Sequence, residues 1–347
     1  MMESFEKLIL QTKKISIWGV GYLGYTSILR LQDCGLKPSV YDFSEERLKH
    51  LQNGAYPEKN QLNTWSKNGK IPSVDLSQLE ICNTYRELFN NNIHIISFPE
   101  TQHVNYSALA EIFIEKKEFL SNSLIIFQSA GVPQSIEKNF CNLLIENDIH
   151  VDIVTLFRSD WIIEDFLQKD RYRVISGNSE QALDKVKNFL NFLNLEPIEL
   201  SNIEEAEVFE NSKIALSHTI VGFFNQLSLA YPNININELA LIALKSVDFK
   251  NLSLGLSSVD YKSEQSCENL LRGSAGEYLT ILRESNSTNI GFLFFYVDLL
   301  KSQKVKSVTI LGLSSYNSMK DYRFSPSVIL AESLVNENIE VYIHDEN

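Results

Sequence analysis

Short, unbroken apolar runs alternate with amphipathic stretches along the first 150 residues of the chain. ISIWG (15–19), PSVYD (38–42), IHIISF (93–98), SLIIFQ (123–128) and HVDIVTLF (150–157) are rich in β-branched residues and have strand length. Between them, segments such as LGYTSILRLQDCG and SEERLKHLQNG bring apolar side chains to one face of a helix. Strands that alternate with helices of this length predict βαβ units and a parallel sheet. RVISG (173–177) and the helical SEQALDKVKNFLNFLN extend the same layer. Near residue 200 the period changes. From NIEEAEVFENSKIALSHTIVGFFNQLSLAYPN onward it is helical for roughly a hundred residues, and 202–231 fits one long helix. KSVTILGLSS (306–315) is again a strand running into a glycine turn. SPSVILAESLVNENIEVYIHDEN then reads as a helix followed by a strand that ends in Asp345.

The first apolar run leads into three glycines spaced G-x-G-x-x-G: Gly19, Gly21 and Gly24. The first permits a tight turn, the second lets the backbone approach a pyrophosphate, and the third allows close packing of helix on strand. The helix that follows presents N–H groups and a partial positive charge to the phosphates. The next strand ends at Asp42, eighteen residues past Gly24. A carboxylate there accepts the ribose hydroxyls of NAD and repels the 2′-phosphate of NADP; Arg47 tempers that preference without reversing it. Strand, helix and acid in register predict an NAD site on Gly19, Gly21, Tyr22, Leu23, Gly24 and Asp42. Tyr22 either lies against the cofactor or fills the corner between strand and helix. The competing reading is that the glycines only pack that corner. The fold class expected is α/β, with a Rossmann-like parallel-sheet domain over 1–200 and a helical middle domain over 201–303. A truncated second Rossmann-like domain follows over 304–347.

Composition narrows the function classes. A formal net charge of −13 argues against a nucleic-acid partner, which needs a basic surface. At 44% apolar and 22% charged residues, the chain is that of an ordinary globular protein. Cys34, Cys82, Cys141 and Cys267 are scattered with no C-x-x-C pair, which suggests neither a disulfide framework nor a zinc site. The six histidines likewise lack metal-ligand spacing. The N-terminus MMESFEKLIL does not read as a secretion signal. IGFLFFYVDLL (290–300) is far short of the ~20 apolar residues that span a bilayer. The expectation is a cytoplasmic protein with no membrane insertion.

Several longer motifs follow the same order. GVGYLG carries a tyrosine within the glycine turn, RLKHLQNG follows Asp42, and SFPET (97–101) ends a strand. AEVFENSKIALSHTIVGFFNQ (206–226) fills the long helix, and LGLSSYNSMKDYRFSP (311–326) contains Asp321, Arg323, Ser325 and Pro326. Over essentially its whole length, the chain resembles the UDP-glucose/GDP-mannose dehydrogenase family. The resemblance implies oxidation of a nucleotide sugar to a uronic acid with two NAD, and a homodimer through helix 202–231. It also implies a nucleotide-sugar contact for Arg323, whose motif matches the family's D-x-R-x-S-P; Arg272 is the weaker diphosphate candidate.

The resemblance breaks at the chemistry. Family enzymes trap an aldehyde on a cysteine and oxidise the adduct to a thioester, which needs a thiolate and a group that stabilises an oxyanion. In the best register, GSAGEYLTIL (273–282) puts Tyr278 at that cysteine, Ile281 at a lysine and Leu282 at an aspartate. A phenol with a pKa of about 10 stays protonated and cannot replace the thiolate. Cys267, eleven residues upstream, cannot fill the role in this register and is expected to be a packed or surface residue. On the long helix, the family's lysine falls at Glu210 and its asparagine at Ile214, while Lys213 turns away and is expected in solvent. Ala130, Thr155 and Ser159 stand at a threonine and two glutamates of the family; Asp165 matches a downstream aspartate.

Three functional readings result. The first is an NAD(H)-binding pseudoenzyme linked to surface-polysaccharide sugar metabolism. The second is an active NAD-dependent oxidoreductase with cysteine-independent, two-electron chemistry, for which Tyr278 or Glu210 is the available base. The third is a scaffold with a blocked pocket. His218, on the long helix, is expected to be packed or solvent-facing rather than catalytic.

Overall fold

The computed structural model describes residues 15–54, 72–98, 105–158, 173–193, 195–246, 261–313, 322 and 325–345. They fall into two compact units, Met1–Glu210 and Asn211–Asn347, so the boundary lies inside the long helix.

The first unit is an α/β sheet with helices on both faces. Its strands are β1 (Ile15–Trp18), β2 (Ser39–Tyr41), β3 (Glu80–Ile81), β4 (Ile93–Ile96), β5 (Leu124–Phe127), β6 (Asp152–Phe157), β7 (Arg173–Gly177) and β8 (Pro197–Glu199). They lie in the order β3-β2-β1-β4-β5-β6-β7-β8. Every pairing is parallel except β6 with β7. The order runs one way from β1 through β2 and the other way from β4, so the switch point lies between β1 and β4. Ligands of open α/β sheets bind at such a crevice, beyond the carboxyl ends of the strands.

The continuous apolar runs are explained by burial on both faces, since β1, β4 and β5 are buried at every position. Alternate side chains feed two cores. Ile15 and Ile17 join Ile28, Val40 and Phe189 on one face, while Trp18 joins Phe113, Phe127 and Phe140 on the other. The covering helices are α1 (Tyr22–Asp33), α2 (Glu45–Gln52), α3 (Tyr106–Glu115), α4 (Asn142–Glu146) and α5 (Glu180–Phe192). Asn105 caps α3 by accepting from the Ala108 amide, and Ser179 caps α5 by accepting from the Ala182 amide. The strands β3 and β8, two and three residues long, are findings of the structure: neither carries enough pattern to be read locally.

The second unit holds most of α6 (Ile203–Ala230), then α7 (Ile236–Ser246), α8 (Tyr261–Arg272), α9 (Thr280–Ser302), β9 (Ser307–Leu311), α10 (Pro326–Asn336) and β10 (Glu340–His344). α6 and α9 approach closely at Gly222, where a Cβ would lie 2.3 Å from Ser285 Oγ. Buried amides tie the same pair of helices, with Asn225 Nδ2 donating to Asn289 Oδ1 at 2.8 Å. β9 and β10 pair in parallel.

Candidate nucleotide site

The glycine turn sits at the switch point. Gly19 follows β1 with φ +93°, a left-handed conformation that excludes most side chains. Its amide donates to the Tyr41 carbonyl at 2.8 Å, which closes the end of β1 onto β2. Gly24 lies in the first turn of α1, where a Cβ would come within 1.9 Å of the Gly19 carbonyl oxygen. Gly21 is different: among the described residues nothing lies within 4 Å of where its Cβ would stand. It is the N-cap of α1 with no side-chain capping bond, so the helix start is open at the point where a phosphate would approach.

Asp42 borders the same turn. It is 6% exposed, and its Oδ2 accepts from the Val20 amide at 2.8 Å while Oδ1 accepts from the Ser44 amide at 2.8 Å. Arg47 Nη1 lies 3.6 Å from Oδ2. The backbone thus fixes the carboxylate beside the glycine turn. The site residues Gly19, Gly21, Tyr22, Leu23, Gly24 and Asp42 are brought together here.

Behind the turn runs a polar network that sequence reading missed. Arg158, at the carboxyl end of β6 and 7% exposed, donates from Nη1 to the Leu23 carbonyl at 2.9 Å. It also donates to Ser27 Oγ at 3.1 Å and, from Nη2, to Thr26 Oγ1 at 2.8 Å. Its guanidinium lies 5.9 Å from the centre of the Tyr22 ring. Gln128, just past β5, donates to Ser27 Oγ at 3.0 Å and accepts from Ser97 Oγ at 2.9 Å. The ends of β4, β5 and β6 are therefore tied to the first turns of α1. The available signal was position: both residues directly follow strands whose carboxyl ends face the crevice. Tyr22 is half-buried against the core, with the Arg158 guanidinium over its ring.

The residues that the sequence register set against catalytic positions have the following surroundings. Thr155 is wholly buried and shares a 2.7 Å hydrogen bond with Ser176 across β6 and β7. Glu210, the last residue of the first unit, is 8% exposed on α6. Tyr278 closes a single helical turn, Gly276–Tyr278, in the second unit and is 78% exposed. Cys267 is fully buried against Ala215 and Leu282. His218 is buried, with Nε2 3.1 Å from Asn286 Oδ1. Lys213, expected in solvent, is half-buried; rotation about an isolated helix does not reveal which neighbours pack along it. Arg323, Asp321, Ser159 and Asp165 lie outside the described residues.

The second unit repeats the first unit's turn. Gly312 follows β9 with φ +88°, and its amide donates to the His344 carbonyl at 2.8 Å. The next amide, of Leu313, donates to Asp345 Oδ2 at 2.7 Å, as Val20 does to Asp42. Ser325, buried at the start of α10, donates its hydroxyl to the Leu313 carbonyl.

No protein-family model matches the chain, and no curated protein matches it by sequence. Solved structures do match in shape. A UDP-glucose dehydrogenase from the archaeon Pyrobaculum islandicum aligns with a TM-score of 0.80 at 17% identity, covering 96% of this chain and 81% of that one. A UDP-D-ManNAc dehydrogenase from Pyrococcus horikoshii gives 0.77 at 18% identity, covering 96% and 83%. An NDP-N-acetyl-D-galactosaminuronic acid dehydrogenase from Methanosarcina mazei gives 0.72 at 15%, covering 100% and 83%. At these identities what is shared is architecture: the chain has the α/β, Rossmann-like fold of the nucleotide-sugar dehydrogenases.

Proposed function

We propose that this is an NAD(H)-binding, nucleotide-sugar dehydrogenase-like protein that does not form uronates. Binding is carried by the Gly21 corner: a helix start without a cap, an open Cβ direction, and Asp42 fixed beside it. The amides at the start of α1 receive the pyrophosphate, and Asp42, still with a lone pair on each oxygen, accepts the ribose hydroxyls. Bound NAD would supply a hydride acceptor.

The case against the four-electron reaction rests on the thiol. Cys267 is the sole cysteine in the sequence after residue 211, and it is closed off from solvent in an apolar cluster. A thioester pathway needs an accessible thiolate. The role that remains is to sense NADH or a nucleotide sugar, or to serve as a partner subunit, in cytoplasmic surface-polysaccharide sugar metabolism. The protein acts as a homodimer through α6, and Arg323 contacts the nucleotide sugar. Among the described residues no helix is long and apolar enough to cross a membrane.

A second reading, cysteine-independent two-electron oxidation, assigns the base to Tyr278 or Glu210. A thermal-shift and calorimetric panel with NAD, NADH and UDP- and GDP-sugars, followed by an NADH-absorbance assay, separates the readings. Stabilisation without NADH production is the expected result. Steady NADH production supports the second reading, and no stabilisation by any ligand overturns both.

A further inference from the structure

A cavity lies behind α1, on the face of the sheet that α1 and α5 cover. It measures about 40 Å³, room for roughly three water molecules. Ile95, Leu156 and Phe189 contribute apolar wall, and Ser27 and Gln128 add neutral polar groups. Arg30, Arg158 and Arg173 line it as well, and among the described residues of its wall none is an aspartate or a glutamate. The chain as a whole has the opposite balance, with 44 acidic residues against 31 lysines and arginines.

The register of the sheet brings two of these cations together. The last antiparallel pair of β6 and β7 sets Phe157 opposite Val174, so the next residues, Arg158 and Arg173, stand opposite each other on one face. Arg158 is 7% exposed and Arg173 is 6% exposed. Like charges directly opposite across a strand pair repel, and burial strengthens the repulsion because little water screens it. The groups that hold Arg158 on α1, the Leu23 carbonyl and the Thr26 and Ser27 hydroxyls, are neutral. Arg30, half-buried, donates from Nη2 to the Leu193 carbonyl at 2.8 Å, a neutral acceptor as well. An oxyanion suits such a wall. Each planar guanidinium offers several N–H donors in a fixed fork, and a negative charge between Arg158 and Arg173 turns one repulsion into two attractions. The volume limits the ion to a small one. We infer that this cavity is a binding site for a small oxyanion, of the size of inorganic phosphate, held by Arg30, Arg158 and Arg173. The site shares no residue with the Gly21 corner.

The test follows thermal denaturation of the full chain in rising sodium phosphate, against sodium chloride at matched ionic strength and pH, with calorimetry for the phosphate affinity. Phosphate should raise Tm saturably where chloride does not. Arg173→Gln should weaken phosphate about tenfold, the worth of one charge-assisted hydrogen bond. Arg30→Gln, at the half-buried position, should weaken it likewise, and provides the same readout if Arg173→Gln does not fold. Gly21→Ala should bind phosphate as wild type does, which separates this cavity from the helix start of the proposed dinucleotide site. A phosphate effect no larger than that of chloride, one that persists undiminished in either folded arginine variant, or one that Gly21→Ala abolishes overturns the assignment. NAD titration of the wild type reports on the dinucleotide site independently of all three outcomes.

Discussion

Two glycines of one motif separate folding from binding. A methyl group on Gly24 would lie 1.9 Å from the Gly19 carbonyl oxygen, where only backbone could yield. Gly24→Ala should therefore destabilise the first unit by roughly 2–4 kcal/mol in urea titrations. Gly21→Ala meets nothing within 4 Å and has φ −63°, which alanine adopts freely. It should leave the urea midpoint near that of wild type and weaken NAD binding at least tenfold, because its methyl group points where the phosphate must come.

His94 makes a different residue-scale prediction. It is wholly buried, receives the Trp18 Nε1 proton at 3.3 Å, and its Nε2 has no hydrogen-bond partner. Burial pushes its pKa down to about 3 from 6.5. Between those values the unfolded chain binds the proton and the folded chain does not, so stability rises with pH across that window and levels off above it. The difference in unfolding free energy between wild type and His94→Leu should shift by a few kcal/mol between pH 7 and pH 4 (order of magnitude). The variant should lose less stability on acidification.

At the scale of elements, α1 is fixed from behind by Arg158. The planar guanidinium reaches a carbonyl and two hydroxyls at once, a geometry that a lysine ammonium on a flexible stem cannot copy. Arg158→Lys should cost about 1–3 kcal/mol of stability and weaken NAD binding through a looser helix start. Calorimetry beside chemical denaturation reads both. The α6 helix, 28 residues and about 42 Å long, leaves Leu216 at 49% and Phe223 at 56% exposure. Seven residues apart, they share a face of the helix. If that face is the dimer seam, Leu216→Asp with Phe223→Asp should halve the mass measured by light scattering without changing the helical circular dichroism signal.

At the scale of the whole molecule, one device occurs twice. A strand ends at a left-handed glycine, whose amide bonds to the end of a neighbouring parallel strand. The next amide then bonds to the aspartate following that strand. Gly19, Val20 and Asp42 build it once, and Gly312, Leu313 and Asp345 build it again. In the sequence the second copy was readable as a strand, a glycine turn and a final acid. The hydrogen bonds that make it equivalent to the first were not, because they join residues more than thirty positions apart.

The long elements were legible because their pattern is local. Fully buried strands need unbroken apolar runs, amphipathic helices need a 3.6-residue period, and a turn at φ +93° calls for glycine; each constraint acts within a few residues. The sequence by itself therefore determined the alternation of strand and helix, the long α6, and the glycine turn with Asp42. It also determined that no cysteine lies within 273–282. Only the tertiary structure decided the antiparallel entry of β7, the short edge strands, the burial of Cys267, the half-burial of Lys213, and the anchoring of α1 by Arg158 and Gln128. Those outcomes depend on which distant surfaces meet, and pairing between distant segments leaves no period in the chain.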